Sequence, residues 1–287
     1  MPPPLIIIPN RHLRLEIDVV SVRDLHPHEE ILQPLVNKLM ERIKQDQNVK
    51  HPIMVDRNTL TVLDGTHRLI ALKNLGCKWI PICLVNYKSP KIRVSSWYRT
   101  IANLKPGGLP PIFRQLQLKV VETTPKEAEK AVRSGNAPAA ILTRQNGSII
   151  KSKRMSIRQR YNLVKRIEEA AIDAGASINY NRPDEAKAFL EDGIVDAVVV
   201  VPQISKEAVI DAALKKKVFA RKTTRHIIPA RPLNLTIALS LLKTHDPTQM
   251  STQLTELLRQ KRLKHLPAGS TVGGRTYEED VYVFEEA

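Results

Sequence analysis

A chain of 287 residues holds about two domains at roughly 150 residues each, and its 42% apolar and 26% charged residues exclude both a disordered chain and a fibrous repeat. Forty-five Lys and Arg against 29 Asp and Glu leave a formal charge of +16, so an anionic partner is expected: nucleic acid, nucleotide phosphates or an acidic protein. Aromatic residues at 4% argue against a single-strand binder that works by base stacking.

Leu13, Leu15, Ile17 and Val19 alternate with Arg14, Glu16 and Asp18, which predicts a half-buried opening strand. Ile31, Leu32, Leu35, Val36, Leu39, Met40 and Ile43 follow the helical period, and Pro34 fits only a first turn. The helix therefore starts near residues 31–34, with His28-Glu29-Glu30 in the loop before it. Residues 52–56 and 59–63 bracket Arg57-Asn58 as a hairpin, residues 66–75 form a helix stopped by Gly76, and residues 79–87 carry a strand apolar on both faces. Cys77 and Cys83 lack zinc-finger spacing and are expected as reduced core thiols. Leu5 to Ile8 is too short for a signal or membrane span, so a cytoplasmic protein is expected.

Glycine and proline in Lys105-Pro106-Gly107-Gly108-Leu109-Pro110-Pro111 predict a linker. Beyond it, strand and helix patterns alternate through 118–122, 125–134, 139–143, 157–174, 184–192, 197–201 and 206–217, an α/β layer domain. Pro125-Lys126-Glu127-Ala128 ending at Gly135 recurs 58 residues later as Pro183-Asp184-Glu185-Ala186 ending at Gly193. Shared helix-start and helix-stop chemistry explains that recurrence better than duplication. The expected division is 1–104, a linker at 105–114, an α/β domain at 115–232 and a helical, loosely attached extension at 233–287. Basic runs lie at 144–166 (Arg144, Lys151, Lys153, Arg154, Arg158, Arg160, Lys165 and Arg166, with no acid) and at 215–225; solvated faces would produce them as readily as a nucleic-acid site.

The chemistry concentrates in Asp64-Gly65-Thr66-His67-Arg68. A strand ends, a glycine turns, and a helix begins with a hydroxyl, an imidazole and a guanidinium in its first turn. Free N–H groups and the positive end of the helix dipole make that a phosphate cradle, with Arg68 to bridge phosphate oxygens and Asp64 to hold Mg²⁺. An Asp-Gly turn with a Thr N-cap would give the same spacing, and the His-Arg pair favours the cradle.

Asp64 to Gly76, followed by Trp79-Ile80-Pro81, resembles the signature of the ParB/sulfiredoxin superfamily, which implies a compact α/β domain binding a nucleotide at that helix start. Sulfiredoxins carry a reactive cysteine just before the His-Arg pair, where this chain has Thr66. ParB partition proteins carry an arginine in place of the histidine and a helical DNA-binding domain afterwards. Leu25-His26-Pro27-His28-Glu29, Ser96-Trp97-Tyr98 and Arg221-Lys222-Thr223-Thr224-Arg225-His226-Ile227-Ile228-Pro229 resemble instead the free L-serine kinases of archaea and their relatives in bacterial siderophore pathways. The similarity runs from about residue 13 to about residue 232. Thr66 departs from it, since the archaeal pattern has a second histidine there, as does the tail after Pro232.

The resemblance implies Mg²⁺-dependent phosphoryl transfer from ATP or ADP to the hydroxyl of free L-serine, giving O-phospho-L-serine for cysteine biosynthesis. It implies Glu29 as general base with His67 beside it, Gly65, Thr66, His67 and Arg68 on the nucleotide, and Asp64 on the metal. Trp97, Lys222, Thr223, Thr224, Arg225 and His226 would hold the amino acid, clamped between domains so that water is excluded. The alternative is a ParB-like, nucleotide-dependent nucleic-acid binder using the +16 charge, with only non-specific nucleic-acid binding expected of the kinase.

Overall fold

The computed structural model describes residues 4–11, 13–105 and 108–286. In chain order the first elements are β1 (Ile6–Ile8), β2 (Leu15–Ser21), α1 (Gln33–Asp46), β3 (Asn48–Val49), β4 (Ile53–Asp56), β5 (Val62–Asp64), α2 (Thr66–Asn74), β6 (Trp79–Val85) and β7 (Arg93–Ser95). Next come β8 (Tyr98–Ala102), α3 (Pro110–Gln115), β9 (Lys119–Thr123), α4 (Pro125–Arg133), β10 (Ala140–Leu142), β11 (Gly147–Lys151), α5 (Ile157–Asp173), β12 (Ser177–Asn181), α6 (Pro183–Glu191) and β13 (Ala197–Val200). The chain closes with α7 (Lys206–Leu214), β14 (Arg225–Ile227), β15 (Ala230–Leu233), β16 (Ile237–Ala238), a 3₁₀ turn (Leu241–Lys243), α8 (Pro247–Arg259), β17 (Lys261–Leu266), β18 (Thr271–Val272), β19 (Arg275–Thr276) and β20 (Asp280–Glu286). It divides into two compact units: residues up to Arg93 with Lys206–Val218 and everything from His226 onward, and Val94–Ser205 with Phe219–Arg225.

In unit 1 a five-stranded sheet has the order β1-β2-β6-β4-β5. β4 runs parallel to β6, with Ile53 opposite Ile82, and the other neighbours are antiparallel. The apolar run Ile80, Ile82, Cys83, Leu84 and Val85 is buried throughout, as a central strand covered on both faces requires. Pro34 stands in the first turn of α1, and Cys77 and Cys83 are buried and unpaired, burial holding the Cys77 thiol up at about 11.

The extension expected to be helical and loose does carry the helix α8, but it also carries the strands β16 to β20, and it is part of the compact unit 1. Leu233, Leu235 and Ile237 recur every second residue, a strand period, and all three are buried. β15 pairs in parallel with β20, which pairs antiparallel with β17, and Val281 and Val283 join Leu233 and Tyr277 in a core cluster. Lys78 N–H donates to Leu242 O at 2.8 Å and Trp79 Nε1 to Thr244 O at 2.9 Å, tying this region to β6.

Unit 2 is a six-stranded sheet of order β12-β8-β13-β10-β11-β9, antiparallel at every step. Alternation along its central strands builds three layers: Ile141 and Val199 face α3 and α5, while Ala140, Leu142, Val198 and Val200 face α4 and α6. β8-α3-β9-α4-β10 and β11-α5-β12-α6-β13 are two copies of one strand–helix pattern, and exchanging them reverses the strand order onto itself. The 58-residue recurrence is thus part of a structural repeat, and not merely shared capping chemistry. The expected linker also lies inside this unit. Pro106 and Gly107 fall outside the described residues, but Pro110-Pro111 start α3, where a missing N–H costs nothing, and Leu109 and Ile112 are buried. Among the described residues no helix is long and apolar enough to cross a membrane.

Candidate functional site

The junction of β5 and α2 forms in unit 1 as the residues require. Gly65 is the N-cap of α2 at φ 103°, and no side chain caps the helix, so its first-turn N–H groups have no intrahelical acceptor. A Cβ on Gly65 would collide with the Ile53 side chain, which is why only glycine fits. Arg68 Nη1 donates to His51 O and Pro52 O, both at 2.8 Å, and Nη2 stands 3.6 Å from Asp64 Oδ2. Part of the guanidinium expected on phosphate therefore braces the segment between β3 and β4.

His67 is engaged as well. Its Nε2 accepts the Leu32 N–H at 3.2 Å, which anchors the residue just before α1 and fixes this ring nitrogen as unprotonated. That bond ties the loop carrying Glu29 to the first turn of α2. Beside Glu29, His28 is buried. Its Nδ1 donates to Val62 O at 2.7 Å, and its Nε2 faces Glu29 Oε1 at 3.8 Å. Burial pushes the His28 imidazole below its ordinary value, against the pull of Glu29.

His226 lies in this unit too, its ring 5.3 Å from that of His28 at a right angle. Tyr87 Oη lies 2.8 Å from His226 Nε2, and the other nitrogen bonds the Leu63 carbonyl. Burial first, then His28, pushes His226 down to about 3, so it is neutral, Nε2 accepts and Tyr87 donates. Two neutral imidazoles thus hold the consecutive carbonyls of Val62 and Leu63, just before Asp64. Lys206 Nζ donates to Ser89 O at 2.7 Å and sits 5.3 Å from the Tyr87 ring.

Asp64 meets a partner the sequence did not suggest. Arg231 Nη1 donates to Asp64 Oδ2 at 3.0 Å, and Arg231 Nε pairs with Glu279 Oε1 from the C-terminal extension. Desolvation would raise the Asp64 carboxyl, but Arg231 and then Arg68 outweigh it and hold it below the usual carboxylate range. His51 accepts from Asn234 N–H at 3.1 Å, and burial followed by Arg68 takes it down to about 4. Among the described residues no group of three or more His, Cys, Asp or Glu could hold a metal ion. A single half-exposed carboxylate fits an Mg²⁺ whose other ligands are phosphate oxygens and water.

The remaining expected residues gather in unit 2. Trp97 Nε1 donates to Thr224 O at 3.1 Å, with Lys222 Nζ 5.3 Å and the Arg225 guanidinium 5.4 Å from its ring. Lys222 has φ 58°, a left-handed conformation uncommon outside glycine. Thr223 is fully buried and its hydroxyl donates to Ala220 O at 2.6 Å, so it braces the loop. Thr224 is buried as well.

No family model matches the chain. Among curated proteins it is 27% identical over 248 residues to an ATP-dependent L-serine kinase of Staphylothermus marinus, covering 84% of this chain and 96% of that one. It is 26% identical to a ParB-like protein of Sulfolobus acidocaldarius, covering 74% and 90%, and 24% identical to an ADP-dependent L-serine kinase of Thermococcus kodakarensis, covering 78% and 91%. Among solved structures, a free serine kinase mutant in complex with AMP superposes with TM-score 0.71 at 21% identity, over 82% of this chain and 96% of that one. The fold is that of the free serine kinases. The resemblance drawn from the motifs and the mixed α/β fold class therefore both hold, and the extension beyond Pro232 belongs to the same compact unit as the β5–α2 junction.

Proposed function

We propose that the protein is a phosphotransferase that moves the terminal phosphoryl group of ATP or ADP to the hydroxyl of free L-serine, releasing O-phospho-L-serine and ADP or AMP. The observation that supports it most is the His67–Leu32 bond, which joins a glutamate-bearing loop to an uncapped, glycine-started helix within one unit. A base and a phosphate cradle on one scaffold are what in-line phosphoryl transfer needs. The names of the curated relatives, and nucleotide in the complexes of the same fold, support the donor and acceptor classes.

In this reading the first-turn N–H groups of α2, with Thr66 and Arg68, bind the donor's phosphates. Glu29 takes the proton from the serine hydroxyl as its oxygen attacks the terminal phosphorus, and the bond to the bridging oxygen breaks with its electron pair leaving on the nucleotide. Asp64 would hold Mg²⁺ together with the phosphates, and the ion would supply neutralisation of the charge that builds on the oxygens. His67 positions the loop of Glu29 rather than exchanging protons through Nε2, and His226 supports β5 rather than the amino acid. Trp97, Lys222 and Arg225 offer two cations and an aromatic face to the serine carboxylate and side chain.

The cytoplasmic setting and the supply of phosphoserine for cysteine synthesis belong to the same reading. A ParB-like nucleic-acid switch is the less favoured reading, because unit 2 is an antiparallel three-layer domain and not a helical DNA reader. Incubating the protein with Mg²⁺, L-serine and ATP or ADP, and resolving O-phosphoserine by mass spectrometry, tests the proposal. Absence of product with both nucleotides refutes it.

A further inference from the structure

Unit 2 buries a polar cluster that the proposed reaction leaves without a role. Arg99 on β8 has no exposed surface, and its Nε lies 2.5 Å from Glu168 Oε1 on α5. Glu168 Oε2 accepts from Tyr180 Oη on β12 at 2.7 Å. The guanidinium's other donors go to backbone, Nη1 to Trp97 O at 2.6 Å and Nη2 to Arg221 O at 3.5 Å. Burying an ion pair gives up hydration that the pair recovers only when its remaining donors and acceptors are met, so such a pair is weak evidence for stability. Its partners here indicate what it specifies.

The contacts close a ring. Arg99 fixes the carbonyl of Trp97, the Trp97 indole donates to Thr224 O, and the backbone runs from Thr224 back to Arg221, whose carbonyl Arg99 also reaches. Against the indole held by that ring stand two cations, Lys222 and Arg225. We infer that Arg99, oriented by Glu168 and Tyr180, is a positioning residue that sets the spacing between Trp97 and the Lys222–Arg225 run. Its planar fork holds one carboxylate and two separate carbonyls in a fixed geometry, which the compact, freely rotating ammonium of a lysine does not impose. The inference rests on the assignment of that subsite to the serine carboxylate, and it predicts effects confined to the amino acid.

The chain has two tryptophans, so a Trp79→Phe background leaves Trp97 as the sole indole reporter. In it, Arg99→Lys and the milder Tyr180→Phe are compared with the background for acrylamide quenching of Trp97, for the KM of L-serine and for AMP affinity by calorimetry. The expected result is greater quenching in both, an increase in serine KM of about tenfold for Arg99→Lys and a smaller one for Tyr180→Phe, with AMP affinity unchanged. Quenching and serine KM at background values in folded variants, or a loss of thermal stability with KM unchanged, would overturn the inference. If Arg99→Lys does not fold, Tyr180→Phe decides. If the wild type forms no O-phosphoserine, the function fails while the quenching comparison still decides whether Arg99 sets Trp97.

Discussion

Lowering the pH from 7 to 5 should destabilise unit 1 through His226. An unfolded imidazole titrates near 6.5, whereas the folded one is pushed down to about 3 by burial and by His28. Between those values the unfolded chain binds a proton that the folded chain refuses. The contribution of the neutral ring is therefore whole above about pH 6.5, falls by about 1.4 kcal/mol per pH unit below it, and is exhausted near the folded value. At pH 5 the loss is on the order of 2 kcal/mol. His28 and His51 are lowered in the same direction, so the wild type should fall more steeply than one ring predicts. His226→Gln keeps a donor for the Leu63 carbonyl and an acceptor for Tyr87 without titrating. In a Trp97→Phe background Trp79 reports on unit 1, and urea midpoints at fixed ionic strength between pH 7.5 and 5 give the slopes. A His226→Gln slope equal to that of its background would refute the argument, since the ring would then not be the group that refuses the proton.

Glu29→Gln should lower kcat by on the order of 100-fold while nucleotide affinity holds, and Glu30→Gln should leave turnover within a few-fold; a reversed pair in a phosphoserine assay rejects Glu29 as base. Asp64→Asn and Arg68→Ala should weaken nucleotide binding and its Mg²⁺ dependence in calorimetric titration, with Arg68→Ala also lowering the melting temperature because it releases the His51 and Pro52 carbonyls. Gly65→Ala should destabilise by about 2–4 kcal/mol, from left-handed backbone strain of about 1–2 kcal/mol plus the collision with Ile53; an unchanged denaturation midpoint would show that the turn relaxes freely. Binding to labelled DNA and RNA should be weak and fall by orders of magnitude between about 50 and 200 mM salt, whereas anisotropy that persists at the higher salt and responds to nucleotide would favour the ParB-like reading.

Much of the fold is legible because periodicity carries it: β2, α1, the β4–β5 hairpin, β6, α4, α5, α6 and β13 all fall where spacing and punctuation place them. Two strands of unit 2 escape detection because a buried face is polar or a side is open. In β8 the buried positions include Arg99 and Thr100, so the apolar alternation that marks a strand is replaced by charge and hydroxyl. Among the described residues β12 is an edge strand with β8 as its single neighbour, and it carries Ser177, Asn179 and Asn181. The Pro-rich stretch misleads for the opposite reason, because two prolines that break a helix interior are welcome in its first turn.

The candidate site divides in the same way. Asp64 to Arg68 is legible since its meaning is local: strand, turn and helix start within five residues. Arg231, Tyr87 and His28 are not, because their partners lie 167, 139 and 34 residues away and no spacing announces them. A signal for Arg231 exists nonetheless, a lone arginine in the apolar run from Ile227 to Leu233, where burial demands a counter-charge. The run Lys222 to His226 shows the limit most sharply. As sequence it reads as one binding segment, yet in the extended backbone of β14 successive side chains point to opposite faces. Arg225 lies over Trp97 and His226 against Tyr87 and His28, so the two neighbours have different surroundings that their adjacency in sequence does not announce.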